Sequence, residues 1–273
     1  MKIKSNSVKI NIEHFNKFEQ NKVTVLLLHG FTGSLEDWRE CLHNFDTRFN
    51  YIGMDLIGHG KSDSTVDVLK YSADSIVKNI DDVLNYLLLD TVIILGYSMG
   101  GRVALSYAVN RSKKIKGLIL ESTTPGIKNE KERKERIISD EEIARFIESK
   151  SLEEFAELWL DQELFNTQRR FANEKLKKIK KMKASNSKTG LANSLRGFGT
   201  GKMPYLGDNL NNINCPVFLI SGELDSKFTA INSKLKRKFS NAEHLIIKNA
   251  GHNTNLEEMK KFIGVINNFL SKF

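Results

Sequence analysis

The stretch TVIILGYSMGGRVALSYAVN, Thr91 to Asn110, decides how the rest of the chain reads. An apolar run, TVIIL, meets a segment of helical spacing, RVALSYAVN, through GYSMGG at positions 96–101. Tight packing where a buried strand runs into a helix favours an apolar residue, yet a serine stands there with glycines two positions to either side. G-x-S-x-G at such a junction is the pattern of a nucleophile elbow, whose glycines make room for a sharp turn that lifts the hydroxyl out of the packing. The helix that follows points its N-terminus at the site and favours negative charge there. The pattern is common by chance, so Ser98 needs partners elsewhere in the chain.

Strand-like and helix-like segments alternate around this junction. VTVLLLH (Val23–His29), FNYIGMD and IKGLILES are continuous β-rich runs, whereas SLEDWRECLHNF and SADSIVKNIDDVLNYLLL carry helical apolar spacing. Continuous apolar strands alternating with helices imply a mostly parallel sheet covered on both faces. From Ser122 to about Tyr205 the rhythm stops in favour of charged, helix-periodic sequence, and it resumes with PVFLISG, AINSKLKRKFS, AEHLIIKNA and FIGVINNFL. The expected architecture is an α/β-hydrolase fold: residues 1–121 and 206–273 form the core, and 122–205 form a helical cap inserted after the sixth strand, over the sheet's C-terminal edge.

That fold places an acid and then a histidine on loops after later strands. SGELDSKF puts Asp225 just past one strand end, with Glu223 as the alternative acid, and GHNTNLE puts His252 past the next. Asp225 alone would read as a helix cap. Parallel strands end together, so these loops open on the same edge as Ser98. LLLHGFTGS supplies the loop that gives a backbone N–H at Phe31 to an oxyanion hole, and Met99, after the serine, gives the second. His29 fixes that loop. In DLIGHGKSD, Gly58 and Gly60 permit a turn whose shape His59 and Ser62 hold. His14, His43 and His244 read as surface or structural.

The 273 residues can bury a sizeable core, and with 40% apolar and 27% charged residues the composition is ordinary for a globular chain. Two distant cysteines, Cys41 and Cys215, support neither a disulfide framework nor a zinc site and fit a reducing compartment. The N-terminus MKIKSNSVKINIEHF alternates and reads as a strand, not a secretion signal, and no apolar run is long enough to span a bilayer. A cytoplasmic protein is expected. The net charge of +9 suits nucleic acid, acidic lipid or an anionic small molecule, but no nucleic-acid-binding motif is visible. Arg102, one turn past Ser98, can reach a carboxylate in the pocket, and Arg133 and Arg136 lie one turn apart in the insert. Oligomeric state is not legible.

HGFTGS, GYSMGGR, ESTTPGI, the ER..R run, the Trp159–Phe165 region, LRGFGTG, GELDSKF and AGHN together resemble the 2-succinyl-6-hydroxy-2,4-cyclohexadiene-1-carboxylate synthases of menaquinone biosynthesis over almost the whole chain. The resemblance implies a carbon–oxygen lyase that eliminates pyruvate from 2-succinyl-5-enolpyruvyl-6-hydroxy-3-cyclohexene-1-carboxylate, a tricarboxylate. It further implies that Arg102 and either Arg133 or Arg136 bind carboxylates. Tyr97 would lie beside the serine, and Trp159 and Phe165 would wall the pocket. Lys183 stands where a further arginine is expected, and a lysine offers charge without a bidentate fork. Proton removal and expulsion of an enolpyruvyl group need a base and charge stabilisation. They call for no metal or organic cofactor. The rival reading is a carboxylesterase or C–C bond hydrolase with Ser98 as nucleophile.

Overall fold

The computed structural model describes residues 1–273. Its eight strands are β1 (Lys2–Ser5), β2 (Val8–His14), β3 (Thr24–Leu28), β4 (Asn50–Met54), β5 (Val92–Tyr97), β6 (Ile115–Glu121), β7 (Val217–Gly222) and β8 (Ala242–Ile247). The helices of the first half are α1 (Arg39–Leu42), α2 (Ala73–Tyr86) and α3 (Met99–Asn110). Between β6 and β7 the chain forms helices and no strand: α4 (Glu130–Ser149), α5 (Leu152–Leu160), α6 (Asn173–Ala184) and α7 (Lys188–Phe198). Then follow α8 (Ser226–Lys236), α9 (Thr254–Glu257) and α10 (Met259–Leu270).

The strands lie in the order β1-β2-β4-β3-β5-β6-β7-β8. The pairs β1–β2 and β2–β4 are antiparallel, and every pairing from β4 to β8 is parallel. Strands β3 to β7 are buried along their length except at Lys116 near the start of β6, so each must present apolar residues to both faces, which is why they read as nearly unbroken apolar runs. One core cluster joins Leu26, Leu28 and Ile94 to α2 and α3, and another joins Val25, Leu27 and Ile93 to α10. Neighbouring strand residues thus feed opposite cores.

Two details depart from the sequence reading. The N-terminal alternation is a hairpin, not one strand: Asn6 and Ser7 both take positive φ (48° and 69°), as a two-residue turn of this hand needs, and the buried positions slip from Ile3 and Ser5 before it to Val8, Ile10 and Ile12 after it. The segment SLEDWRECLHNF begins as a 3-10 turn, Leu35–Trp38, capped by Ser34 and Asp37, before the single turn of α1. No helix is long and apolar enough to cross a membrane.

The α4–α7 segment has its own small core, including Ile147, Phe155, Trp159 and Leu191. It meets the rest of the chain most closely at α7. Gly58 has a φ of +80°, and a Cβ there would lie 2.7 Å from the Gly190 carbonyl oxygen; one on Gly190 would strike Gly58 in turn. Backbone rests on backbone at this point, which only glycine on both sides allows.

Candidate active site

Ser98 joins β5 to α3 with φ 50° and ψ −105°, a strained conformation for a residue with a side chain. Its glycines are required by contact: a Cβ on Gly96 would collide with the Gly100 carbonyl, and one on Gly100 with the Leu28 carbonyl. The Ser98 Oγ lies 3.0 Å from His252 Nε2, and His252 Nδ1 lies 2.7 Å from Asp225 Oδ2. A proton on Nδ1, donated to the carboxylate, leaves Nε2 free to accept from the serine. His252 and Asp225 are buried, on the loops after β8 and β7. Asp225 also caps α8, its Oδ1 accepting the Phe228 N–H at 3.1 Å. Glu223 is exposed and accepts the Asn249 N–H instead.

The Met99 N–H opens α3, and neither it nor the Phe31 N–H makes a loop or cap hydrogen bond. His29 anchors the Phe31 loop. Its Nδ1 donates to the Gly30 carbonyl (2.8 Å) while its Nε2 accepts the Leu56 N–H (3.0 Å), and burial pushes its pKa down to about 4. It is a neutral bracket. His59 is held to Ile57 O, and burial, with His29 beside it, pushes its pKa down to about 3. His244 bonds Ser221 Oγ at 2.8 Å, on β7 and away from Ser98.

Two cavities meet at Ser98. One, of about 390 Å³, is lined by Arg102, Arg136, Leu195 and Thr200. The other, of about 490 Å³, is lined by Asp37, Tyr97, Lys175, Lys178 and Lys183, and by the exposed His43 at its margin. Phe31, Ser98, Trp159, Leu164 and His252 line both and form the waist between them. The arginine lobe has two guanidinium groups held from behind. Arg102 donates to the Phe198 carbonyl at 2.6 Å, and burial, with Arg136 nearby, lowers its pKa to about 10. Arg136 gives its Nε to Asp140 Oδ1 at 2.8 Å. Arg133 instead turns its Nε to the Gly201 carbonyl (2.7 Å) and lines neither lobe.

In the lysine lobe, Lys183 donates to Thr32 Oγ1 at 2.9 Å. Burial pulls its pKa down and the Asp37 carboxylate opposes that shift, while Asp37 is pushed up to about 6 by its own burial. Tyr97, Phe165 and Phe228 surround the imidazole of His252, with ring centroids 5.5, 6.1 and 4.4 Å away. Trp159 packs on Phe31 at 5.1 Å and on Phe165 at 6.0 Å. The hydrogen bonds of the site therefore sit in an apolar, water-poor setting, where they act more strongly.

Three residues of this neighbourhood escaped the sequence reading. Asp37 carried a signal, the S-x-x-D of SLED, which marks a capping pair. Asp140 stands four residues after Arg136, the spacing of a helical ion pair. Glu121, a carboxylate closing an apolar strand run and wholly buried, was visible only as an oddity in LILES.

A family model described as the alpha/beta hydrolase fold matches residues 23–259. A Bacillus subtilis protein provisionally named 2-succinyl-6-hydroxy-2,4-cyclohexadiene-1-carboxylate synthase is 38% identical over 247 residues, covering 90% of each chain. An Escherichia coli protein of that name is 30% identical over 236 residues, covering 85% of this chain and 88% of its own. The solved structure of MenH from S. aureus superposes with a TM-score of 0.90 at 33% identity, covering 96% of this chain and 98% of that one.

Proposed function

The chain belongs to the α/β-hydrolase family and, within it, to the 2-succinyl-6-hydroxy-2,4-cyclohexadiene-1-carboxylate synthases, and from that premise we propose how its own residues eliminate pyruvate in menaquinone biosynthesis. The substrate, 2-succinyl-5-enolpyruvyl-6-hydroxy-3-cyclohexene-1-carboxylate, lies across the waist with carboxylates in both lobes, beneath α4–α7 as a cap. His252, oriented by Asp225, draws the proton from Ser98 Oγ, and that oxygen takes a proton from the ring carbon next to the succinyl carbonyl. Negative charge then develops on the carbonyl oxygen, where the Phe31 and Met99 N–H groups receive it. The electron pair returns as a double bond between ring carbons 2 and 3, the existing double bond shifts from carbons 3–4 to carbons 4–5, the bond from carbon 5 to oxygen breaks, and enolpyruvate leaves to become pyruvate on gaining a proton. Ser98 forms no covalent bond to substrate.

The observation that carries this reading is the position of Ser98 between two cationic lobes. A neutral ester would leave Arg102, buried and bonded only to neutral groups of the chain, without a counterion, a costly arrangement. Arg102 and Arg136 suit a carboxylate because a guanidinium presents a planar fork. The reaction takes place in the cytoplasm, where the cysteines stay reduced.

The test is incubation with the enolpyruvyl substrate while pyruvate release and the ultraviolet absorbance of the new diene are followed together. Acceleration over the spontaneous elimination that disappears in Ser98→Ala supports the lyase. Rapid turnover of simple esters without that acceleration would replace it with a serine hydrolase.

A further inference from the structure

We infer that Glu121 is a positioning residue that ties the Ser98 turn to the His252 loop, an inference that rests on the Ser98–His252 base proposed above. The sheet order sets the problem. Strand β8 lies three strands from β5 in the order β5-β6-β7-β8. Neighbouring strands are about 4.8 Å apart, so the loop after β8 must travel roughly 14 Å across the strand ends to bring His252 to Ser98. Nothing in β8 itself can hold its far end to the tolerance that proton transfer needs.

Glu121 ends β6, the strand next to β5 on that path, and bonds both sides. Its main-chain carbonyl accepts the Ser98 N–H at 2.8 Å. Its side chain accepts from the residues just beyond His252. Oε1 takes Thr254 Oγ1 at 2.7 Å and the Asn255 N–H at 2.9 Å, and Oε2 takes Asn255 Nδ2 at 2.9 Å. One residue therefore fixes the serine through its backbone and the histidine loop through its carboxylate.

The chemistry of the position argues against mere filling. The rest of LILE is apolar and fully buried, and a leucine at 121 would match its neighbours without the cost of a charge. Glu121 is wholly buried, and no cation is among the groups that act on its titration. Three neutral donors aimed at two oxygens are what hold it, and all three belong to the His252 loop.

The experiment reads the reactivity of Ser98 directly, using a dialkyl fluorophosphonate that phosphonylates an activated serine whatever its natural substrate. Ser98→Ala and His252→Ala serve as controls. If labelling is unaffected in His252→Ala, the proposed base fails and Glu121 is not the cause. With the controls silent, Glu121→Leu should label about 10²-fold more slowly, the scale of a misplacement near 1 Å, while near-ultraviolet circular dichroism keeps the native signal. Glu121→Gln should label within about fivefold of the parent, because the Asn255 amide can turn to present its oxygen to the new amide. Thr254→Val, which removes one donor and leaves Glu121 in place, should fall between these and serves if Glu121→Leu does not fold. With the enolpyruvyl substrate the losses should appear in kcat and leave KM nearly unchanged. A folded Glu121→Leu that labels at the parent rate, a Gln variant as impaired as Leu, or an unimpaired Thr254→Val overturns the inference.

Discussion

Asp225 and His252 meet at 2.7 Å through a single carboxylate oxygen, and the other oxygen of that carboxylate caps α8. The two readings open to this aspartate, helix cap and partner of the imidazole, are therefore not rivals. The cap orients the carboxyl plane so that Oδ2 faces Nδ1, and the helix terminus serves as the clamp for the acid.

Two substitutions separate those roles. Asp225→Asn keeps an oxygen for the Phe228 N–H but loses the charge that stabilises the imidazolium; Asp225→Ala loses both. Each should cut kcat by roughly 10³–10⁴-fold. Only Asp225→Ala should also lose about 1 kcal/mol of stability as a missing cap. Steady-state kinetics beside urea denaturation check this, and equal stabilities would show that the cap contributes nothing.

The two arginines of α4 should behave differently. Arg136→Ala should lower kcat/KM by roughly 30- to 150-fold, the worth of about 2–3 kcal/mol for a charged hydrogen-bonding group. Lysine should recover little of it, since it lacks the fork. Arg133→Ala, whose side chain faces Gly201, should change kcat/KM by less than about threefold, under ~1 kcal/mol. Full kinetics of the three variants decide it, and a greater loss at Arg133 would reverse the assignment.

Acid stability should carry the mark of His59. Its folded pKa is pushed down to about 3 by burial, below the ordinary 6.5, so between those values the unfolded chain binds a proton that the folded chain refuses. Stability from this group is whole above pH 6.5 and is lost as pH falls. Asp37 and Glu121, pushed up to about 6 and about 7, act with the opposite sign between their ordinary acidic values and those figures. The clean reading is thus a difference: His59→Asn relative to the parent should gain stability as pH falls from 6.5 to 4.5, by at most about 1.4 kcal/mol per pH unit. Urea midpoints across that range test it, and a difference independent of pH would refute it.

Two glycines give opposite predictions for one substitution. Gly190→Ala drives a methyl group into the Gly58 backbone and should cost about 1–3 kcal/mol. Gly264, within α10, has nothing within 4 Å of a would-be Cβ, so Gly264→Ala should stabilise by about 0.5–1 kcal/mol. Thermal melts of the two variants should move in opposite directions.

The parts of this molecule legible in its sequence are those in which local pattern and global role coincide. Buried parallel strands must be apolar on both faces, so TVIIL and PVFLISG announce themselves, and the strand ends then locate Ser98, Asp225 and His252 on one edge. Arg133 and Arg136 resist such reading because the choice between them depends on how α4 is rotated against Gly201 and the cavity beside Ser98, which spacing alone does not set. Glu121 is hidden for a related reason: its partners Thr254 and Asn255 are 133 and 134 residues away along the chain. Asn6 and Ser7 show a third limit, since the one-residue slip that their turn puts into the buried pattern, from Ser5 to Val8, falls in the polar run SNS, where no apolar residue marks it.

The meeting of Gly58 and Gly190 also governs what an engineer can exchange. Helical roofs are attractive modules to move between enzymes of this architecture, but at Gly190 this one rests on its foundation without an intervening side chain. A graft that brought α7 to a scaffold carrying alanine at the position of Gly58 would be propped up by a methyl group, and the wall that Leu195 gives the arginine lobe would rise with it. The recipient must therefore inherit the glycine of its own loop together with the foreign helices.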